Sequence, residues 1–330
     1  MKCIDKKRRA IIAAFALSLT VFTGCGQELT IENAYDVYES AKAYGLNSAA
    51  TNEESNSFFA KDLCVTGTDN QLSENVSDAL SEAAGLFNLK DCEMKFGKNI
   101  FQRVYPASTT KILTAYVALK HGDLSATATV TEEELQLEQG STICELSVGD
   151  TVSLEQLLYG LMLCSGNDAA NVIADMISGS TEAFAELMNQ EALALGASNS
   201  HFVNPHGLHN ENHYTTVYDM YLIFQEAIQN EQFVSIINSE SHTGIFTNSD
   251  GQEVTKNWRN SNKFINGEAK APDEIQVVGG KTGTTGDAGY CLVLYSKNAQ
   301  GDPWISIVYK SDSRDNLYKE MTELLEEISK

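Results

Sequence analysis

The sequence is short of positive charge. Lys and Arg number 23 against 45 Asp and Glu over 330 residues, a formal net charge of −22. Such a surface repels polyanions, so it excludes nucleic acid as a partner and offers no basic patch to anionic lipid. Cysteine is equally uninformative as a framework. There are seven, none in C-x-x-C spacing. Setting aside Cys3 and Cys25 near the N-terminus, Cys64, Cys92, Cys144, Cys164 and Cys291 form an odd set. That argues against a metal site or a complete disulfide framework and leaves room for one bridge with unidentified partners. The chain has no internal repeat. At 42% hydrophobic residues it can bury a substantial core, as one large domain or two small ones.

The N-terminus differs from the rest. Lys6, Lys7, Arg8 and Arg9 precede AIIAAFALSLTVF, which ends in Thr23-Gly24-Cys25. A basic segment, a short apolar run and small residues before a break describe an export signal, and the run is short for a membrane span of ~20 residues. Cys25 after Gly24 resembles a bacterial lipoprotein box, with Phe22 where Leu is usual, and the resemblance implies that Cys25 is lipidated and becomes the mature N-terminus. An uncleaved signal anchor is the alternative. Either places the remainder outside the cytoplasmic membrane, held at its outer face through the N-terminus. Residues 1–24 carry five basic residues and one acidic one, so the exported part is more acidic still.

Three segments follow: an export signal over 1–25, a polar spacer rich in Asn, Ser, Glu and Ala over 26–57, and a folded body over 58–330. In the body, AAGLFNLKD and EMKFGKNIF predict two short strands around a turn, followed by a helix with Ser108 in or just before its first turn. TATVT and STICEL predict short strands. SLEQLLYGLMLC, NDAANVIADMI and TEAFAELMNQEALAL repeat apolar residues at three and four and predict a helical block. Near the end, EIQVVGGKTGTTGDAGYCLVLYS predicts strand, Gly-rich turn and strand. WISIVYK predicts another strand and DNLYKEMTELLEEISK a closing helix. Strands at both ends with helices between predict an α+β body whose sheet joins the two termini.

Within YPASTTK, Ser108 and Lys111 are three apart, on one face of the predicted helix. A Ser-x-x-Lys pair is expected about 1.5 times by chance in this composition. A polar helix start explains it equally well on that count. Its setting adds weight. The first turn presents free N–H groups, and Ile112, Leu113, Tyr116 and Val117 imply an interior helix. A hydroxyl needs a base to act as a nucleophile, and a lysine serves only when neutral, through burial or a nearby cation. In LCSGNDAAN, Ser165 and Asn167 lie between two helical patterns, where a short turn aims both into a cleft or caps a helix. In GGKTGTT, a Lys-[Ser/Thr]-Gly triplet is expected only about 0.2 times. Lys281 and Thr282 suit a carboxylate, by charge and by hydroxyl, and Gly283 lets a backbone approach. A hairpin turn with an incidental Lys is the plainer reading. His201, His206, His209 and His213 cluster, but NPHGLHNENHY is full of turn residues, which argues against zinc. Cys164 adjoins Ser165 and reads best as a small buried residue ending an apolar helix.

Ser-x-x-Lys, Ser-x-Asn and Lys-Thr-Gly in this order are the motif set of the penicillin-recognising serine enzymes. The blocks YPASTTKILTA, LLYGLMLCSGNDAAN, HFVNPHGL with HYTTVYDM, and GGKTGTTGDAGYCLV resemble serine-type D-Ala-D-Ala carboxypeptidases, the low-molecular-mass penicillin-binding proteins, from about Phe58 onward. The resemblance implies the penicillin-binding/β-lactamase-like transpeptidase fold: an antiparallel sheet flanked by helices, plus a helical subdomain.

It also implies roles. Ser108 would attack the carbonyl between the last two D-alanines of a peptidoglycan stem peptide and form an acyl-enzyme. Lys111 would take its proton. Ser165 would relay a proton to the leaving D-alanine, and Asn167 would hold the substrate amide. Lys281 and Thr282 would bind the terminal carboxylate, and the N–H groups of Ser108 and Thr284 would form the oxyanion hole. The peptide would add as a strand beside Lys281. β-Lactams would be covalent inhibitors, and neither metal nor organic cofactor would be needed. Class A β-lactamases carry in addition a Glu that activates the deacylating water, and HFVNPHGL offers none. A transpeptidase and a non-catalytic penicillin-sensing module remain the other readings. Only 47 residues follow Lys281–Thr282–Gly283, so the expected attachment is N-terminal.

Overall fold

The computed structural model describes residues 62–329 apart from residue 78. The export segment with Cys25, and the spacer over 26–57, lie outside the described residues.

In chain order the elements are β1 (Ala83–Asn88), β2 (Glu93–Lys98), a 3-10 turn (Ala107–Thr110), α1 (Lys111–His121), β3 (Thr127–Thr129), β4 (Thr151–Ser153), α2 (Leu154–Met162), α3 (Asn167–Ser178), α4 (Thr181–Ala194), α5 (Val217–Ala227), α6 (Glu231–Asn238), β5 (Ser241–Thr247), β6 (Glu253–Arg259), β7 (Gln276–Thr285), β8 (Gly289–Lys297), β9 (Pro303–Ser311) and α7 (Arg314–Glu327). Five strands form one antiparallel sheet in the order β2-β1-β9-β8-β7. Ala84 pairs with Val308 and Leu86 with Ser306, so the first and last strands of the body are neighbours, as the sequence predicts.

Period-two alternation gives this sheet two buried faces. Cys291, Val293, Ile305, Ile307 and Tyr309 point into the larger core, which includes α1, α2, α3 and α5. Leu292, Leu294, Trp304 and Val308 point the other way, against Leu317, Met321, Leu324 and Leu325 of α7. The helical block begins cleanly: Ser153 caps α2 by accepting from the Gln156 N–H, and Ser180 caps α4 by accepting from Ala183.

Ser108 lies in the 3-10 turn just before α1, within the range expected, and Ala107 ahead of it takes a φ of +48°. Three local expectations change. STICEL forms no strand, since the amides of Cys144 and Leu146 donate to the Asp168 carboxylate instead of to a ladder. GGKTGTT is not a turn. It lies inside β7, and the turn falls at residues 286–288. Its glycines relieve close packing: a Cβ at Gly283 would stand 3.0 Å from both the Pro106 O and the Ser108 N. Finally, β5 and β6 form an unforeseen hairpin in a second antiparallel sheet, β3-β4-β5-β6. No helix among the described residues is long and apolar enough to cross a membrane.

Candidate active site

All eight site residues predicted in the body converge on one cleft. Its lining includes Ser108, Ser165, Thr282, Gly283 and Thr284. Behind this surface lie the buried side chains of Lys111, Asn167 and Lys281.

Lys111 opens α1, so its side chain runs back beside the 3-10 turn. Its Nζ is 3.0 Å from Ser108 Oγ, 2.7 Å from Asn167 Oδ1 and 2.7 Å from the His206 carbonyl oxygen. These three contacts bear on chemistry. A neutral amine has two N–H groups and one lone pair. The two carbonyl oxygens use both N–H groups, which leaves the lone pair facing the Ser108 hydroxyl. Burial pushes the Lys111 ammonium well below the ordinary lysine value, and the nearby charge of Lys281 pushes it further.

Lys281 approaches from β7. Its Nζ donates to Ser165 Oγ at 3.0 Å and to the Thr282 carbonyl at 2.9 Å. Burial lowers it to about 7. Ser165 is held at a φ of +65° between α2 and α3, a left-handed conformation that costs energy for a residue with a Cβ. The strain aims its hydroxyl at Lys281 while Asn167 starts α3.

A second layer holds these groups. The Asp168 carboxylate accepts from the amides of Cys144 and Leu146, and the Asn167 N–H donates to the Thr142 carbonyl. The segment 142–146 is thereby pinned to the Ser-Gly-Asn turn. On the other side, Thr110 Oγ1 donates to the Ala107 carbonyl and lies 2.8 Å from His213 Nε2. Burial lowers His206 and His213 to about 3, so both are neutral. His213 Nδ1 accepts from the Val203 N–H, so its two ring nitrogens tie the loop that borders the cleft to the 3-10 turn. Gly207 in that loop has a φ of +87°, and a Cβ there would fall 1.9 Å from the Ala107 carbonyl oxygen.

The missing side chain of Gly283 admits the Ser108 turn, so β7 and the Ser108 amide lie side by side. β7 is an outer strand of its sheet, paired only with β8. Cys164 departs from expectation. It is partly exposed and lines the cleft, because α2 ends at Met162 and the chain turns toward Ser165.

Several lining residues carry no sequence signal. Ser261 Oγ is 2.8 Å from Thr282 Oγ1. Lys263 and Arg314 bring two cations to the rim, over the rings of Tyr318 and Tyr290 at 5.2 and 5.9 Å. Their scarcity in an acidic chain is the one hint that spacing alone could not supply. No carboxylate lines the cleft among the described residues.

Comparison with known proteins accords with this geometry. Residues 72–313 match the peptidase family S11, D-alanyl-D-alanine carboxypeptidase. The chain belongs to this family. Among curated S11 relatives it is 30% identical over 249 residues to the D-alanyl-D-alanine carboxypeptidase DacF of Bacillus subtilis, covering 74% of this chain and 61% of that one. It is 35% identical over 207 residues to DacA of Escherichia coli K12, covering 59% and 47%. The chain thus spans about half to two thirds of the length of the curated relatives it matches. Two solved structures superpose closely. The Streptomyces K15 DD-transpeptidase gives a TM-score of 0.70 at 30% identity, covering 76% of this chain and 97% of that one. The D-alanyl-D-alanine carboxypeptidase of Mycobacterium tuberculosis H37Rv gives 0.69 at 26% identity, covering 78% and 94%. The fold is therefore that of the penicillin-binding DD-peptidases.

Proposed function

We propose that this chain is a serine D-Ala-D-Ala carboxypeptidase that trims peptidoglycan stem peptides through an acyl-enzyme on Ser108. The observation that carries the reading is the environment of Lys111 Nζ, with two carbonyl acceptors and the Ser108 hydroxyl as its third neighbour. Lys111 accepts the proton as Ser108 Oγ attacks the penultimate D-alanine carbonyl. The oxyanion forms between the N–H groups of Ser108 and Thr284. Ser165, bonded to Lys281, passes a proton to the departing D-alanine amine. Asn167 Oδ1 is committed to Lys111, which leaves its Nδ2 to hold the substrate amide. Thr282 and Lys281 receive the terminal carboxylate, with Arg314 adding charge from the rim. That anion raises Lys281 from about 7 and keeps it protonated while bound. The peptide lies along the outer edge of β7 as an added strand.

With no carboxylate lining the cleft among the described residues, β-lactams acylate Ser108 and leave slowly. Release of D-alanine from a stem pentapeptide tests the activity. A fluorescent penicillin tests the nucleophile: the label survives denaturation on the wild type and is absent from Ser108→Ala. A wild type that does not label, or a Ser108→Ala variant that does, removes Ser108 from its role.

Transfer is the second reading, because the Streptomyces K15 neighbour is named a DD-transpeptidase. Adding an amine acceptor to the pentapeptide assay separates the two by the product formed. The same proposal places a catalytic body over 58–330 behind a spacer over 26–57, exported and held at the outer face of the membrane by a lipidated Cys25. Mass spectrometry of the mature N-terminus distinguishes lipidation from an uncleaved anchor.

A further inference from the structure

Two cysteines meet beside Ser165. Cys164 precedes it and opens onto the cleft, while Cys144 is buried behind the cleft wall. Their sulfurs are 3.4 Å apart. Room is left for Cys144 by two glycines, since a Cβ on Gly160 or Gly166 would stand 2.5 or 2.0 Å from its Sγ. The other described cysteines have no such neighbour; the sulfurs of Cys64, Cys92 and Cys291 face backbone carbonyls.

Cys144 is firmly held. Its N–H donates to Asp168, its carbonyl accepts from Trp258 Nε1 at 3.2 Å, and Thr142 accepts from the Asn167 N–H. Cys164 is held less tightly, its thiol donating only to the Gly160 carbonyl at 3.2 Å besides its contact with Cys144. It is tied to Ser165, which is strained at φ +65° and bonded to Lys281.

We propose that Cys144 and Cys164 are a reversible disulfide site, formed by exchange with a low-molecular-mass disulfide, and that the bond slows acylation of Ser108. The cleft-facing Cys164 thiolate attacks one sulfur of the reagent. The reagent S–S bond breaks, and one small thiolate leaves and takes a proton. Cys144, whose thiol burial holds well above its ordinary range, then loses its proton and attacks Cys164 Sγ. The mixed disulfide breaks and the second small thiol departs. Two cysteine thiols are oxidised and one small disulfide is reduced to two thiols. An S–S bond is about 2.05 Å, so the sulfurs close by about 1.4 Å. With Cys144 anchored, Cys164 moves and carries Ser165 with it. Displacement of about 1 Å at a catalytic group costs on the order of 10²-fold in rate.

The effect on rate rests on the Ser108 reading, whereas formation of the bond does not, so the test reads both separately. Full-length protein is incubated with oxidised glutathione, digested without reduction and mapped by mass. The expected product joins the Cys144 and Cys164 peptides with loss of two hydrogens and no glutathione adduct. Penicillin labelling then slows about 10- to 100-fold and recovers with dithiothreitol. Cys144→Ala stops at a glutathione adduct on Cys164; if that variant does not fold, the wild-type map and recovery still decide. Wild type that keeps both thiols, or keeps the adduct, overturns the site. A joined pair that labels at the reduced rate overturns its control of the cleft. Protein that never labels, in either redox state, faults the Ser108 reading and leaves the mapped bond to stand alone.

Discussion

On one face of the five-stranded sheet, Lys111 and Lys281 are buried with oxygen partners at each Nζ. On the other, Glu320 of α7 is buried with a single hydrogen bond. Ser81 Oγ donates to its Oε1 at 2.7 Å, and its Oε2 has no partner among the described residues. Both faces bury a charge, and burial drives each group toward its neutral form. On the cleft face that shift falls on an amine 3.0 Å from a hydroxyl. The α7 face only tolerates it. Elsewhere in the sheet the Oγ of Ser296 and Ser306 and Nε1 of Trp304 are likewise buried with no partner among the described residues. Burying a polar group creates a pKa shift on either face, but only partner geometry makes the shift usable.

The sharpest break of this comparison is Lys111→Arg. A guanidinium cannot become neutral, so acylation by penicillin should fall about 10³-fold while the far-ultraviolet spectrum is retained. A loss under tenfold would mean that Lys111 only positions.

Next in size is Glu320→Gln. Burial raises Glu320 from 4.5 to about 7. Between those values the folded state holds the proton and the unfolded state has lost it. Stability therefore falls as pH rises through that window, by about 3 kcal/mol in total. Urea unfolding at pH 5 and pH 8 should show this loss in the difference between wild type and variant, because the opposite contributions of the buried His206, His213 and Lys111 are common to both. Lys281 acts with the opposite sign. Its folded value of about 7 lies below 10.5, so its contribution grows as pH rises from 7 toward 10.5.

Lys281→Met comes third. It removes a carboxylate partner and the cation that depresses Lys111. Acylation should slow about 10- to 100-fold, with its acid limb moved to higher pH. An unmoved limb would make burial the only cause of the Lys111 shift. Smallest is Gly283→Ala. A Cβ 3.0 Å from Ser108 N forces β7 and the turn apart by a few tenths of an ångström. Acylation should drop about tenfold, with little loss of stability.

The candidate site is largely legible in the sequence because each of the three motifs marks a local backbone event: the 3-10 turn at Ser108, the strained Ser165 and the glycine of β7. Periodicity likewise gave the helices of the middle block and the strands of the main sheet. What stayed hidden depends on contacts distant in sequence. Segment 141–146 looks β-prone, yet Asp168 takes its amides. The β5–β6 hairpin is mostly exposed, so no apolar alternation announces it. Ser261 and Arg314 enter the cleft only once β6 and α7 are placed, and the sequence could not match Cys144 with Cys164. The glycines of GGKTGTT suggest a turn when read locally, whereas their role is to let a neighbouring segment in.

The most direct test of the central claim is the pH dependence of wild-type acylation by a penicillin. If Lys111 is the neutral base beside Ser108, the rate rises with pH through an inflection well below 10.5. An inflection at the ordinary lysine value would show that Lys111 is charged at neutral pH, and the account of Ser108 activation would be wrong.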